Sequence, residues 1–469
     1  MPTYTTLPLL ILLALLWRWT KGNVLAIVAF TAIFDAASAL NFGSLGVAPW
    51  LVALAVCLPV KMLRGGLRMG AAPGINRVAL NLLLLFLTYA AFSGMVLPVV
   101  FAGVPVVRVL DPVPLAWGMA NVSQLCYLGA AAVVFLLTIT STRGELEEAL
   151  RWYVRGCIVA AWIAIYQLTN AVVHVPYPTA ILYSNPGHVI FSAYKINGMW
   201  RLNSTFTEAS DMAGSLIGGL GILSWELMTR PLRAARLGYA VLLLVVLLMS
   251  LSTTGYLCLV LLVVAGGVLY VGHLLRRAKV GAVKVVIALA MGLAAAVLFT
   301  VSGPARETVV KVASSVVLDK QQTESYRART ESHEDALQTL KDTYYVGSGW
   351  GSMRASGLGY TLLASVGIPG LLLFGAGCAA LFLPLLRGDR GNTPEGREDL
   401  LERCLFGVSL LLCGMVIAGS EPIVPTLWFL FGTAIVAGGQ PLAMLRTMGT
   451  KRVVMGPQVG LWGRLRAFE

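Results

Sequence analysis

The chain is a succession of apolar runs, most about as long as a bilayer is thick, and this pattern leaves few folds open to it. Candidate spans lie at roughly 3–17, 23–42, 46–62, 78–103, 117–140, 153–172, 212–228, 237–252, 254–275, 285–302, 356–386, 404–420 and 423–445. A helix needs about 20 apolar residues to cross the hydrocarbon core. Backbone groups inside that core have no water to bond, so each run must close its hydrogen bonds internally, as a helix. The expectation is an all-α polytopic membrane protein with 12–13 transmembrane helices, the lower count applying if the short first helix is only half inserted. A composition of 57% hydrophobic and 12% charged residues, with mean hydropathy +0.79, excludes a soluble domain of 469 residues. Arg18 and Lys21 follow the first run rather than precede it, so it reads as a retained helix and not a signal peptide.

The net charge of +13 follows from topology. Segments 18–21, 61–77, 143–155, 230–236, 276–284, 387–403 and 446–466 hold 25 of the 35 Lys and Arg residues. Each follows an odd-numbered span, so the positive-inside rule puts them all in the cytoplasm, with the tail cations against anionic headgroups. Nucleic acid is not needed to explain the charge. The seven cysteines lie within or at the ends of spans and include no CxxC, which argues for packing roles over a metal site or disulfide framework.

Two polar segments, 173–212 and 303–355, stand out on the opposite, outer face of what otherwise reads as a single transmembrane domain over 1–469. They carry nine of the ten Lys and Arg residues expected on that face. Cations where the rule predicts few suggest an anionic ligand. The first segment alternates aromatics and prolines with polar residues, Lys195 among them, as an ordered lid or re-entrant loop would. It ends in Arg201-Leu-Asn-Ser-Thr-Phe-Thr-Glu208-Ala-Ser210-Asp211, where Ser210 or Asp211 is positioned to cap the next helix. Arg201 offers several donors to a diphosphate, and Glu208 a carboxylate to take a hydroxyl proton. The plainer reading is a structural ion pair between them. His174 and His188 show no metal-ligand spacing.

In the second segment, residues 309–317 place valines and Ala313 at helical spacing, as a helix lying on the membrane would. Arg327, Arg329 and His333 follow. On a helix Arg329 and His333 share a face, which suits phosphate binding with a proton shuttle or, equally, a solvated amphipathic helix packing through Ala336, Leu337 and Leu340. Gly347-Ser-Gly349-Trp-Gly351, followed by Arg354, either presents backbone N–H groups to an anion or makes a tight turn back into the membrane. Asp35 is the clearest charge inside a span and reads as a helix-packing group. Glu226, His273 and Arg155 fall near cytoplasmic ends, within reach of water. No metal site is expected, and Glu421 reads as an ordinary loop acid.

Together these pieces resemble the bacterial O-antigen polymerase and ligase superfamily of membrane glycosyltransferases. Arg201…Thr205-Phe206…Glu208-Ala209-Ser210 is similar to that family's Arg…Thr-Phe…Glu-Pro-Ser segment, with Ala209 in place of proline. Arg327/Arg329, Gly347-x-Gly349-x-Gly351, Tyr360-Thr-Leu-Leu and Gly367-Ile-Pro-Gly370 are similar to its second segment. The resemblance implies a GT-C-like membrane fold and a metal-independent transferase without a cofactor, using a glycan on polyprenyl diphosphate. Arg201 and one of Arg327 and Arg329 would hold the diphosphate, with Arg354 and Lys195 as further cationic candidates. Glu208 matches the family's acidic position, and Glu208 and His333 are the two candidates for the base. The implied partners are the lipid-linked glycan, a glycan acceptor, the bilayer and a chain-length regulator or other envelope-assembly protein, with the active site facing the periplasm from the inner membrane. Ligases of this superfamily carry an essential His just before the Tyr-Leu segment. This chain has Ser356-Gly-Leu-Gly-Tyr360 there, which favours a polymerase or exopolysaccharide-type enzyme. A transporter or flippase for an anionic lipid would use the same loops without bond chemistry, although the spans hold few charges for ion coupling.

Overall fold

The computed structural model describes residues 1–43, 45–64, 75–107, 112–187, 190, 195–196, 199–276, 324–386, 395–417 and 422–439. Its first half contains α1 (Thr6–Trp19), α2 (Val24–Thr31), α3 (Pro49–Leu63), α4 (Arg77–Val100), α5 (Met119–Thr140), α6 (Arg143–Val173) and the single turn α7 (Thr179–Leu182). The second half adds α8 (Ala209–Thr229), α9 (Ala234–Met249), α10 (Thr253–Arg276), α11 (Glu324–Asp342), α12 (Leu358–Ala380), α13 (Leu383–Leu386), α14 (Glu395–Ile417) and α15 (Pro425–Ala437). Three short antiparallel hairpins, Leu40–Phe42 with Leu45–Val47, Pro105–Val107 with Pro112–Pro114, and Lys195–Ile196 with Met199–Trp200, are the strand pairs among the described residues.

This is an all-α polytopic membrane protein. Among the described residues, α4, α5, α6, the continuous stretch Leu358–Leu385 and the Asp399–Ile417 part of α14 are long and apolar enough to cross a bilayer; α1, α3, α9, α15 and Thr253–Val264 are shorter apolar helices. The expected span at 285–302, the 309–317 helix, His188, Glu421 and the basic tail lie outside the described residues.

The principal helix pairs are α8 with α14, α4 with α12, α2 with α6, and α15 with both α14 and α5. Small residues bring α8 and α14 together. A Cβ on Gly414 would sit 3.1 Å from the Gly214 Cα, and one on Gly407 3.3 Å from the Gly218 carbonyl oxygen. Lipid is as apolar as leucine, so helices in a membrane associate by such close packing and by polar contacts. A polar contact clamps the far end of the same pair. The side chain of Arg403, 3% exposed, donates to Glu226 at 2.8 Å and lies 3.2 Å from Asp399, which Arg230 reaches at 2.6 Å. Glu226, in the last turn of α8, also lies 3.6 Å from both Arg230 and Arg236.

Three spans differ from their hydropathic outline. The 153–172 helix starts ten residues earlier in a charged turn, where Thr142 and Glu145 form a reciprocal capping box. The 23–42 helix ends at Thr31, and Asp35 lies on irregular backbone beyond it. Residues 32–34 are Ala, Ile and Phe, so apolarity alone does not reveal the break. Its backbone groups are satisfied from the first polar segment: the Thr205 hydroxyl donates to the Ile33 carbonyl, and Ala36 N–H donates to the Thr205 carbonyl at 2.9 Å. The 356–386 helix breaks at Gly367 (φ 65°, ψ −168°). There the second polar segment supplies the partners, Ser348 N–H to the Ala364 carbonyl and Gly349 N–H to the Ser365 carbonyl, each at 2.8 Å. Each polar segment is thus docked into an interrupted helix, the arrangement that irregular backbone in an apolar setting requires.

Candidate functional site

The first segment is held by a buried amide. Gln167 of α6 accepts from the backbone N–H groups of Asn203 (3.1 Å) and Ser204 (2.9 Å), while its own amide donates to Asn203 Oδ1 at 2.7 Å. The Ser204 hydroxyl donates to the Ala160 carbonyl at 2.6 Å, and the Tyr183 and Tyr177 hydroxyls donate to the Ser204 carbonyl at 2.8 and 3.1 Å. Asn203, Ser204 and Thr205 are fully buried. This anchor fixes Arg201, two residues before it, and Glu208, three residues after it.

Glu208 occupies the N-cap position of α8 with an extended backbone and makes no side-chain capping bond. Ser210 and Asp211, the two residues expected to cap the helix, are engaged otherwise: Ser210 Oγ donates to Glu208 Oε2 at 2.9 Å, and Asp211 Oδ2 accepts from Thr207 Oγ1 at 2.8 Å. Asp211, in the polar first turn ahead of the apolar run, has its carboxyl raised to about 7 by burial and by the neighbouring Asp35 and Glu208 charges, against the Thr207 bond and Arg329. Burial and the nearby Arg329 lower the Arg201 pKa, while Glu208 and Asp211 oppose that shift. Arg201 from the first polar segment and Arg329 from the second therefore share one electrostatic neighbourhood with the carboxylates of Asp35, Glu208 and Asp211.

Helix α11 delivers the second half. Ala336 and Leu340 are buried, with Ala336 packed beside Met353, Ala355 and Ala364, whereas Leu337 is exposed. Arg329 and His333, one turn apart, are both half-buried; Arg327 is exposed. Of the two candidate arginines, it is thus Arg329 that Arg201 and Asp211 feel. The His333 ring stacks on Tyr360, centroids 3.8 Å apart and planes 10° from parallel, and its Nε2 lies 2.7 Å from the Ser356 carbonyl oxygen. A carbonyl only accepts, so Nε2 carries the proton and Nδ1 holds the lone pair of the neutral ring.

The remaining candidates have surroundings of their own. The Lys195 ammonium sits over the Trp200 ring, 4.6 Å from its centroid. Arg354 is exposed at the rim of a cavity that also contains Asp35 and Tyr127. The glycine-rich turn is a packing device. Its N–H groups at Ser348 and Gly349 are taken by α12 carbonyls, and Gly349 and Gly351 both have positive φ (98° and 81°). A Cβ there would meet Pro98 Cδ or Gln124 Cβ at 2.6 Å. Among the described residues no group of three His, Cys, Asp or Glu side chains is arranged to hold a metal ion.

Sequence reasoning missed Gln167, because a single amide in an apolar run gives no sign of what it bonds. It also treated Asp35 as a packing group and Asp211 as a candidate cap, since the electrostatic coupling between them depends on the break after α2.

Residues 238–361 match the family model described as O-antigen ligase, over about a quarter of the chain. The match runs from α9 through the Arg329–His333 helix to the first turn of α12, and it supports the O-antigen polymerase and ligase superfamily. No curated protein matches the chain.

Proposed function

We propose that the chain is a membrane glycosyltransferase of the O-antigen polymerase and ligase superfamily, moving a glycan from polyprenyl diphosphate to a sugar hydroxyl. In this reading it acts at the outer face of the inner membrane, without a metal, as a single GT-C-like transmembrane domain. The observation that carries it is the convergence of Arg201 and Arg329 from two distant segments. Burial and Arg329 hold the Arg201 pKa down despite Glu208 and Asp211, and a diphosphate bound by both guanidiniums would supply further countercharge.

The chemistry follows from the charges. The acceptor hydroxyl oxygen attacks the anomeric carbon, and the bond from that carbon to the diphosphate oxygen breaks, its electron pair leaving with the diphosphate. Arg201 and Arg329 stabilise that developing charge. The hydroxyl proton passes to a base, either the Nδ1 of His333 or the Glu208 carboxylate, with Asp211 beside the latter.

The polymerase or exopolysaccharide-type branch is favoured because no His stands at 356–359. One contact favours the ligase alternative: His333 reaches Ser356 and Tyr360 through space and brings an imidazole to the stretch where ligases carry theirs in sequence. Reconstitution with a lipid-diphosphate-linked repeat unit decides among these. EDTA-insensitive product ladders, lost in Arg201→Ala and Arg329→Ala but kept in Arg327→Ala, are the expected result. A single transfer to lipid A–core would select the ligase. Lipid-linked units accumulating on the cytoplasmic face of cells carrying Arg201→Ala would mean a flippase.

A further inference from the structure

A cavity of about 160 Å³ adjoins the arginine–carboxylate cluster and takes no part in the chemistry just described. Asp35, Trp50, Gln124, Tyr127, Asn185 and Arg354 contribute to its lining. They come from the break after α2, the first turn of α3, one face of α5 and both polar segments. Asp35 joins the cavity to the cluster, since it lines the cavity and its charge acts on Asp211.

The wall chemistry is specific. Gln124 is 5% exposed, and its Oε1 has no hydrogen-bond partner among the described residues. A buried amide oxygen left this way is costly, so the Gln124 amide is a polar group of this wall with hydrogen-bonding capacity to spare. Trp50 and Tyr127 form an aromatic corner, rings 5.9 Å apart and tilted by 52°, with the Tyr127 hydroxyl donating to the Gly46 carbonyl at 3.2 Å. Asn185 is also buried, its Oδ1 accepting from Gly187 N–H at 3.0 Å. Asp35 and Arg354 bring opposite charges to the same space. With one carboxylate and one guanidinium the lining is balanced in charge, which gives a dianion no net attraction. Amide, carboxylate and guanidinium groups around an aromatic corner instead suit a ligand with many hydroxyls and one apolar face. The volume is small against the roughly 300–1,000 Å³ of sites for drug-sized ligands and suits one ring.

We propose that this cavity is a glycosyl subsite that holds one pyranose unit, its hydroxyls bonded by Gln124, Asp35 and Arg354 and its C–H face on Trp50 and Tyr127. That the sugar belongs to a transferred or receiving glycan rests on the function proposed above; the recognition itself does not.

The test is binding to the purified full-length protein, followed by ligand-detected NMR, with two separate probes. One is the free repeat-unit oligosaccharide released from its lipid by mild acid, and the other is sugar-free undecaprenyl diphosphate. Gln124→Met, which keeps the shape and removes the amide, should weaken oligosaccharide binding about tenfold or more and leave undecaprenyl diphosphate binding unchanged. Arg201→Ala should do the reverse. Arg354→Gln, at the exposed rim, should weaken oligosaccharide binding in the same direction and guards against misfolding at the buried site. Oligosaccharide binding equal to wild type in both Gln124→Met and Arg354→Gln overturns the subsite, even if glycan transfer proceeds. Oligosaccharide binding that depends on Gln124, in a protein without transferase activity, upholds the subsite and removes the proposed function. In an active enzyme, a KM raised for acceptor alone assigns the ring to the acceptor, and one raised for donor alone assigns it to the donor.

Discussion

His333 lies flat against Tyr360, their ring centroids 3.8 Å apart, and donates from Nε2 to the Ser356 carbonyl. The stack and the hydrogen bond together fix the imidazole and leave Nδ1 as its basic atom. If this nitrogen takes the acceptor proton, His333→Ala should lower the single-turnover rate by roughly 10²- to 10⁴-fold, with donor binding unchanged. Tyr360→Phe keeps the stacked ring and should stay near wild type, whereas Tyr360→Leu should fall between. A loss in His333→Ala that appears only as weaker donor binding would remove the histidine from the base role.

Gln167→Leu is expected to loosen the first polar segment. The N–H groups of Asn203 and Ser204 lose their acceptor inside the protein, at a cost of about 1–3 kcal/mol for each group left unsatisfied. Thermal unfolding in detergent should move down, and proteolysis should begin near 200–206. An unchanged melting temperature would contradict the anchoring role.

Gly349→Ala should destabilise the fold by more than about 1 kcal/mol. Its φ of 98° disfavours any side chain, and the new Cβ would lie 2.6 Å from Pro98 and 2.8 Å from the Ser93 carbonyl oxygen. If the turn served anion binding instead, the substitution would weaken donor affinity and leave the melting temperature alone. Comparing those two readouts separates the roles.

Asp211 predicts a pH signature. Its folded-state carboxyl is raised from 3.8 to about 7 by burial first and then by Asp35 and Glu208. The folded chain therefore keeps a proton that the unfolded chain releases, and stability falls as pH rises from about 4 to about 7. Asp211→Asn, which mimics the neutral acid, should abolish that part of the slope and raise stability at pH 8 relative to wild type. Parallel pH–stability curves for the two proteins would count against it.

Arg403→Ala should be among the most damaging changes remote from the site. It removes the buried cation between Glu226 and Asp399, and losing one partner of such a network costs about 3–5 kcal/mol. The protein that still folds should retain transfer activity per molecule, measured against folded protein by size-exclusion chromatography. A lower rate per folded molecule would tie this end of α8 and α14 to the chemistry.

Much of the architecture was legible in the chain. Runs such as 78–103 and 117–140 correspond to α4 and α5, because an apolar stretch of that length must bond its own backbone. The candidate residues were legible as types, through cations in two polar segments, but not as a constellation. Arg327 and Arg329 are equivalent in composition, and the helical turn that exposes one and half-buries the other depends on which face of α11 packs.

What the sequence determined by itself is a helical membrane protein with two cationic polar segments and a resemblance to glycan-transferring enzymes. These follow from local quantities: apolar length, charge counts and motif order. What only the tertiary structure decided is where helices break and what enters the breaks. The Asp35 charge acts on Asp211 where α2 stops at Thr31, and His333 reaches Tyr360 because α11 packs against α12. Hydropathy averages over such interruptions. A break is tolerated only when distant backbone and side-chain groups satisfy it, and those partners are brought together by folding rather than by their order in the chain.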